Sequence, residues 1–422
     1  MADTILDLAS ARQARAERKA RESRQPEPQH QPNPLLDPAN FEDPYPAYAR
    51  LRKRMPVWRI PDSQGAGQWL VSRYAEVQRV LSDPRCSAER QRAPGGPPIG
   101  GSGFARTMLS SDPPEHTRLR SLVSQAFTPR RIADLRRHIE QIADELLVPA
   151  LDESQVELMS QLARPLPAIV IGELLGVPAK DRARFRAWAG QLLSRNDART
   201  SGELGNAVSA IGSLGVYLAG LIQERRQEPA DDLISAMLAA REGRDAFGEM
   251  ELLSMLLLLL IAGYETTTNL IGNGVLALLR HPRELERLRE DRSLLPSAVD
   301  ELLRFDSPVQ ATARVARDEL ELAGERIPKG AMVQVLLGSA NRDPVRFEDP
   351  DRLDVGRTNN EHLSFGWGVH YCLGAPLARL EAQVALATLI DRFPRWRLGD
   401  DGFERKPNPF VRGLAKLPLR VR

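Results

Sequence analysis

The hydrophobic pattern alternates over short distances near the start of the globular sequence. Val57 to Ile60 and Gln68 to Val71 place apolar and polar residues in turn, and a glycine-containing loop joins them. That period of two predicts a pair of short strands. Tyr74 to Leu81 then changes to a period near 3.6, which predicts a helix.

Most of the remaining chain has a helical period. Residues 130–250 alternate amphipathic stretches with short breaks, such as Gly176-Val177-Pro178, and predict a succession of helices. Glu251 to Leu279 predicts one long helix that is apolar as far as Leu260, and Ala375 to Arg392 predicts an amphipathic helix. The pattern indicates a mainly α fold with small β-sheets.

Two predicted helices begin with capping signals. Asp112 precedes Pro113 and stands three residues before Glu115, so we expect its side chain to cap a helix. Ser297 stands three residues before Asp300 and resembles a capping box.

Two segments carry no periodic pattern. Residues 1–36 are rich in Ala, Arg, Glu and Gln and then in Pro, Gln and His, so they predict a flexible N-terminal tail. Its acidic residues argue against an organelle transit peptide. Residues 93–103 consist mainly of glycine and proline and predict a mobile surface loop.

Composition narrows the setting of the protein. The chain has 422 residues and a formal net charge of +2, so the charge balance does not suggest a nucleic-acid partner. The longest apolar stretch, Met255 to Ala262, is far shorter than the roughly 20 residues of a membrane span. The N-terminus shows no apolar signal-peptide region. We expect a soluble, cytoplasmic, monomeric protein with no membrane span.

The decapeptide Phe365 to Gly374 carries the strongest chemical signal. Gly366 and Gly368 flank a tryptophan, which suits a turn with positive φ or a close approach to a flat ligand. Cys372 follows, just ahead of a helical run. Unpaired backbone N–H groups and the helix dipole at such a place stabilise a thiolate, the form that binds metal.

Cys372 has three possible interpretations. A zinc site needs about four ligands, usually in paired spacings, and only His370 lies beside this cysteine. A lone cysteine is most often a small buried hydrophobe. An axial thiolate on haem iron needs one cysteine in a tight loop and little else. The surrounding glycines favour the haem thiolate, which would leave Cys86 as a free thiol and fit a reducing cytosol.

The long predicted helix has costly residues at its centre. The run from Ala262 to Asn269 contains Gly263, Glu265 and three consecutive threonines. Glycine lowers helix propensity, and a buried carboxylate needs partners. The threonines could bond back to the preceding turn and merely bend the helix, but that would not explain a buried glutamate.

Two further pairs share a helical face. His116 and Arg120 are four residues apart and can together hold a carboxylate, although a solvated helix face would look the same. Glu301 and Arg304 are three apart. On a surface such a pair contributes only a few tenths of a kcal/mol.

These stretches together resemble the cytochrome P450 superfamily. Phe365 to Gly374 matches every fixed position of its haem-binding signature, Phe-Gly-x-Gly-x-His-x-Cys-x-Gly, and the other stretches follow in the family's order. The resemblance implies a single catalytic domain over residues 37–422. Its fold would be a triangular, α-rich prism with haem b between the long central helix and the helix after the cysteine. The chain is thereby identified as a soluble bacterial-type haem-thiolate monooxygenase.

The resemblance implies roles for individual side chains. Cys372 would be the axial ligand of the haem iron. Glu265 and Thr266 would deliver protons during oxygen activation, and Gly263 would leave room for dioxygen. The other expected haem contacts are His116, Arg120, Ala262, Arg314, Phe365, Gly366, His370 and Gly374. Of these, the two histidines and two arginines would face the propionates.

Two more groups of residues follow from the same resemblance. Glu301 and Arg304 would form a buried structural pair, which Arg352 or Arg357 would complete. The expected substrate-pocket residues are Val309, Ala311, Thr312, Phe410 and Val411.

The implied reaction uses electrons from a separate ferredoxin and a ferredoxin reductase supplied by NAD(P)H. The substrate would be a small to mid-sized organic molecule, hydroxylated or epoxidised in secondary metabolism. An acidic ferredoxin would dock on arginines near the thiolate side, although these could also be ordinary surface residues. The arginines in question are Arg118, Arg130, Arg131 and Arg379.

Two alternatives remain open. A peroxide-driven or isomerising haem-thiolate enzyme could use the same fold without a redox partner, but the intact Glu265-Thr266 pair argues against it. A non-catalytic haem-binding sensor would need no proton relay.

Overall fold

The computed structural model describes residues 33–60, 65–93, 106–194, 201–241 and 245–421. Most of the expected tail, residues 1–32, lies outside this range, as does the expected loop from residue 94 onwards. Leu35, inside the expected tail, is buried in one apolar cluster with Tyr48 and Trp58. The packed structure therefore begins slightly before the predicted boundary at residue 37.

Helices dominate the described residues, as the pattern predicts. In chain order they are α1 (Tyr45–Arg54), α2 (Tyr74–Ser82), α3 (Glu115–Ala126), α4 (Pro129–Asp134), α5 (Arg136–Leu147), α6 (Pro165–Leu174), α7 (Arg182–Ser194), α8 (Ser201–Gln227), α9 (Leu233–Ala239), α10 (Glu249–Arg280), α11 (Pro282–Glu290), α12 (Leu295–Phe305), α13 (Leu337–Ala340) and α14 (Ala375–Arg392).

The strands are short. They are β1 (Val57–Arg59), β2 (Gln68–Val71), β3 (Cys86–Ser87), β4 (Gln155–Glu157), β5 (Ala311–Ala316), β6 (Leu320–Leu322), β7 (Glu325–Ile327), β8 (Met332–Leu336), β9 (Arg397–Leu398), β10 (Glu404–Arg405), β11 (Leu414–Lys416) and β12 (Pro418–Arg420). The largest sheet has the order β1-β2-β8-β5-β3, and only its β2–β8 pair is parallel. The predicted β1–β2 hairpin aligns Val57 with Val71.

The predicted long helix forms the centre of the main hydrophobic core. α10 extends two residues beyond the prediction at its N-terminus and one at its C-terminus, and it packs against α6, α12 and α14. Among the described residues it is the one helix long and apolar enough to cross a membrane, but more than half of its most apolar window is buried inside the protein. This burial is typical of the core helix of a globular fold.

Both predicted helix caps are wrong. Asp112 does not cap α3, which begins at Glu115; its carboxylate accepts hydrogen bonds from the Ala88 N–H (2.8 Å) and the Ser87 hydroxyl. Ser297 lies inside the first turn of α12, where its hydroxyl donates to the Val355 carbonyl at 2.7 Å. In both cases the side chain bonds a residue distant in sequence and not the backbone at the start of the helix. The same side-chain oxygen could have served either partner, so the tertiary contact replaces the local cap.

Candidate active site

The cysteine loop depends on two glycines in the left-handed region. Gly366 and Gly368 have φ values of 75° and 71°. Gly368 also lies against α2, since a Cβ atom there would be 3.1 Å from the Leu81 carbonyl oxygen. The Cys372 N–H donates to the Phe365 carbonyl at 2.9 Å and closes the loop. The positive φ that the sequence predicts is thereby confirmed.

The Cys372 sulfur lies at the N-terminus of α14. The Gly374 and Ala375 N–H groups donate to it, and the nearby Arg120 charge acts in the same direction. Burial has the larger effect and raises the pKa of the Cys372 thiol. The predicted donors are present, but they do not outweigh desolvation. A positively charged metal bonded to the sulfur would favour the thiolate.

Four donor side chains gather close to this loop. The rings of His116 and His370 lie 4.3 Å apart, centroid to centroid. Burial, followed by the Arg314 and His116 charges, lowers the pKa of His370 to about 3, and Arg120 acts in the same direction. Burial also lowers the pKa of Arg314 to about 10. The structure thus brings together the four residues predicted to face the propionates.

This donor cluster has more cations than anions. His116 is 2% exposed, and neither of its ring nitrogens has a hydrogen-bond partner among the described residues. Arg120 has no ion pair there either. Buried polar atoms are rarely left unpaired, so the cluster fits carboxylates of a bound group. Two haem propionates have this chemistry.

The middle of α10 opens on one side. Ile261 and Ala262 are exposed although the helix on both sides of them is largely buried. The Thr266 hydroxyl donates to the Ala262 carbonyl at 2.7 Å, so the backbone bond expected of a helical threonine does form. Glu265 is 4% exposed and its Oε1 lies 3.7 Å from Lys406 Nζ.

Phe365 connects the cysteine loop to α12. The Arg379 guanidinium lies 4.6 Å from the centre of the Phe365 ring and donates to Asp300 at 2.7 Å. His362 also contacts Asp300, at 3.2 Å. The contacts of Arg379 with Phe365 and Asp300 therefore connect the cysteine loop to α12.

The Glu301–Arg304 pair is completely buried. Arg304 Nε and Nη2 donate to the two Glu301 oxygens at 2.7 and 2.9 Å. Arg357 Nε donates to Glu301 Oε2 at 3.0 Å, whereas Arg352 contributes only its carbonyl, which accepts from Arg304. Arg357 is therefore the arginine that completes the network.

The residues expected in the substrate pocket divide into two groups. Val309 pairs with Val411 in an isolated antiparallel bridge, and Phe410, adjacent in sequence, is 40% exposed. Ala311 instead lies in the buried cluster that contains Tyr48 and does not fit a pocket position.

Thr312 differs from Ala311 in this respect. It is only partly buried and stands two residues before Arg314 on β5. Side chains alternate faces along a strand, so Thr312 shares the face of Arg314.

Comparison with known proteins decides the family. The Cytochrome P450 family model matches residues 209–421. Cytochrome P450 107B1 of Saccharopolyspora erythraea is 44% identical over 401 residues, covering 91% of this chain and 96% of the relative. The cytochrome P450 monooxygenase PikC of Streptomyces venezuelae is 43% identical, covering 90% and 91%. The chain belongs to the cytochrome P450 family.

A solved structure supports the same fold assignment. The bacillaene polyketide synthase cytochrome P450 PksS of Bacillus subtilis 168 superposes with a TM-score of 0.85 at 40% identity, covering 93% of this chain and 100% of that one. The predicted P450 fold is therefore confirmed. Like other P450s, the chain is a haem-thiolate monooxygenase that binds iron protoporphyrin IX.

Three further residues of this P450 are not indicated by the sequence pattern. Glu381 on α14 is 2% exposed, and its Oε2 has no hydrogen-bond partner among the described residues. Arg90 is a partly buried cation whose charge acts on Arg314. Lys406 contacts Glu265 from far along the chain. A glutamate inside an amphipathic helix gives a weak sequence signal, and the other two give none, because only the tertiary fold brings them to the site.

Proposed function

We propose that this P450 hydroxylates or epoxidises a small to mid-sized organic molecule in bacterial secondary metabolism. One observation carries the proposal: a cysteine loop lies beside a donor cluster with unpaired buried nitrogens, while α10 supplies an acid and a hydroxyl. The similarity to PikC and to a polyketide synthase P450 supports a polyketide-type substrate. We assign the catalytic domain to residues 35–422, which adds the buried Leu35 to the predicted range, and place it in the cytoplasm as a monomer.

The chain's own residues have distinct tasks in this function. Cys372 would bond the iron, and His116, Arg120, Arg314 and His370 would hold the propionates. The remaining haem contacts would be Ala262, Phe365, Gly366 and Gly374. Bound haem supplies the redox chemistry of oxygen activation.

Protons for the reaction would come through α10. Glu265 would take up protons from water, and the Thr266 hydroxyl, on leaving the Ala262 carbonyl, would donate a hydrogen bond on the exposed side of α10. Val309, Thr312, Phe410 and Val411 would contact the substrate.

A separate ferredoxin, reduced by its NAD(P)H-dependent reductase, would supply the electrons. Three of the expected docking arginines already have partners: Arg118 bonds Glu251, Arg131 lies 2.7 Å from Asp231, and Arg379 contacts an aspartate of α12. The fourth, Arg130, is exposed and has no ion pair among the described residues.

We expect Arg130→Glu to slow the reduction of the enzyme by ferredoxin and to weaken the salt dependence of that rate. An unchanged reduction rate would remove Arg130 from the docking surface.

Turnover measurements test the proposed reaction directly. The purified holoenzyme is screened for spin-state shifts with a macrolactone, testosterone and myristic acid. The compound with the largest shift is then incubated with ferredoxin, reductase and NADPH, or with peroxide alone. Product in the first reaction supports the proposal. Product with peroxide alone would favour the peroxygenase, and no NADPH consumption across the panel would favour a sensor.

Two variants test the assigned roles. Cys372→Ala is expected to abolish the thiolate-type spectrum of the reduced carbon-monoxide complex, whereas Cys86→Ala, at the other cysteine, retains it. Thr266→Ala is expected to release hydrogen peroxide in place of product, and Thr266→Ser, which keeps the hydroxyl, should remain largely coupled. An alanine variant that stays fully coupled would show that Thr266 does not deliver protons.

A further inference from the structure

Glu265 faces a lysine from a distant part of the chain. Lys406 Nζ lies 3.7 Å from Glu265 Oε1, and the two side chains are only 15% and 6% exposed. Lys406 directly follows β10, and its N–H donates to the Gly413 carbonyl at 3.1 Å, just before β11. The β10–β11 hairpin, which packs against α10, therefore sets the position of this ammonium group.

Such a pair is poor evidence for stability alone. The attraction between the two charges is offset by the cost of removing both ions from water, so the two effects nearly cancel. The contact does, however, show that the Glu265 carboxylate points towards Lys406.

That direction follows a polar stripe along α10. Glu265, Asn269 and Asn273 succeed one another at intervals of four residues and so share one helical face. Asn273 Nδ2 donates to the Arg412 carbonyl at 3.0 Å. A Cβ atom at Gly413 would lie 2.0 Å from Asn269 Oδ1. The stripe therefore faces the β10–β11 hairpin.

Several polar atoms at this stripe have no protein partner. Both amide atoms of Asn269 and the Thr268 hydroxyl are buried without a hydrogen bond to any described residue. Buried polar groups in this situation usually bind ordered water. Thr266 follows Glu265 in sequence and is therefore rotated by about 100° around the helix axis, away from the centre of the stripe.

We propose that Lys406 is a positioning residue for proton delivery, an inference that depends on the proposed monooxygenase function. Its ammonium holds the ionised Glu265 at the polar stripe, where the carboxylate takes up a proton from water. The neutral carboxyl is no longer attracted to Lys406, so it can turn towards the Thr266 side and release the proton there. The return of the negative charge draws Glu265 back to Lys406.

Lys406→Met tests the proposal, because it removes the charge and keeps the length of the side chain. Lys406→Arg retains the charge. Lys416→Met is a matched control: Lys416 lies on β11 of the same hairpin, and its Nζ is also 3.7 Å from a carboxylate, that of Asp401, but it is 48% exposed. Haem content and the carbon-monoxide spectrum show whether each variant is folded.

The readouts are the fraction of NADPH converted to product and the solvent isotope effect in D2O. The probe is whichever of the macrolactone, testosterone and myristic acid gives the largest spin shift. We expect Lys406→Met to lower the coupled fraction by about tenfold and to raise the isotope effect, with Lys406→Arg intermediate and Lys416→Met unchanged. Wild-type values for Lys406→Met would overturn the proposal. If the monooxygenase function itself is wrong, the wild-type enzyme would form no product from NADPH.

A double-mutant cycle gives a second readout that does not depend on turnover. Glu265→Gln, Lys406→Met and the double variant are compared by urea unfolding. We expect Lys406→Met to be strongly destabilising alone, since it leaves a buried charge, and far less so when Glu265→Gln is present. Additive effects on stability or on coupling would show that Lys406 does not act through Glu265.

Discussion

At the scale of single residues, the absence of one methyl group decides the shape of the cysteine loop. Gly368 combines a φ of 71° with a close approach to the backbone of Leu81. We expect Gly368→Ala to lower the free energy of unfolding by about 1–3 kcal/mol and to reduce haem retention. Two effects contribute: strain from the positive φ and a clash with the Leu81 backbone. Haem content per protein and the urea midpoint measure the effect.

Gly402→Ala separates the two causes. Gly402 has a φ of 69°, but a Cβ atom there would meet nothing within 4 Å. In this control variant the free energy of unfolding should fall only by the cost of the backbone strain, and the protein should retain haem. Equal losses in the two variants would mean that the contact with Leu81 has no role.

The residue scale also shows which functional side chains a sequence can identify. Cys372 and the glycines before it could be predicted because their chemistry depends on neighbours in the chain. Lys406 and Arg90 could not, because each acts on a residue more than 100 positions away. The incorrect cap at Asp112 has the same origin, since its carboxylate binds β3 and the residue after it, a contact no local pattern reveals.

At the scale of elements, the buried network on α12 fixes the segment that leads to the cysteine loop. Arg304 donates to Glu301 and also to three backbone carbonyls, those of Asn341, Pro350 and Arg352. Arg304→Met should destabilise by about 3–5 kcal/mol, since it leaves a buried carboxylate without its main partner. The urea unfolding midpoint measures the loss.

Arg352→Ala is the matched control for this network. It keeps the carbonyl that Arg304 uses and removes only an exposed side chain, so its free energy of unfolding should stay within about 0.5 kcal/mol of wild type. Arg357→Ala should fall between the two variants. A large loss of stability in Arg352→Ala would show that the Arg352 side chain belongs to the network, which would contradict the choice of Arg357 over Arg352.

α14 carries a carboxyl group whose burial makes stability depend on pH. Burial raises the pKa of Glu381 from 4.5 to about 8. The folded state then binds the proton more tightly than the unfolded state, so stability should fall as pH rises from about 4.5 through 8. Glu381→Gln removes this loss and should be the more stable protein at pH 9, by several kcal/mol at most.

Urea midpoints of the two proteins at pH 5, 7 and 9 measure this effect. Glu286→Gln, which replaces an exposed glutamate paired with Arg289, is the control and should not reproduce the trend. A constant difference between wild type and Glu381→Gln across the range would show that Glu381 does not titrate between the folded and unfolded states.

At the scale of the whole molecule, the element types were predictable but their assembly was not. The period of the hydrophobic pattern identified β1, β2, α2, α10 and α14 to within one or two residues. Sheet order depends on strands from opposite ends of the chain, such as the parallel pair β2–β8, and no local period encodes such a pairing. The family resemblance supplied the overall fold.

One buried cluster joins the two ends of the chain. The Tyr45 hydroxyl donates to Asp306 at 2.7 Å, and Arg412 Nε donates to the same oxygen at 2.6 Å. Arg412 also donates to the Phe41 and Glu42 carbonyls, at 2.7 and 2.6 Å. Asp306 therefore connects α1, the end of α12 and the segment before β11.

The charge of Asp306 makes this connection sensitive to acid. Although burial acts the other way, Arg412, Arg405 and the Tyr45 hydrogen bond lower the pKa of Asp306 from 3.8 to about 2. Its stabilisation, about 2 kcal/mol, is fully present above the unfolded pKa and is lost as pH falls from about 4 to about 2.

Asp306→Asn should be less stable than wild type by a constant amount from pH 7 to 5, and the gap in urea midpoint should narrow below pH 4. Asp351→Asn, at an aspartate 71% exposed beside Arg342, should show almost no gap. If the Asp306→Asn gap persists unchanged at pH 3, the ends of the chain are joined by packing and not by this charge.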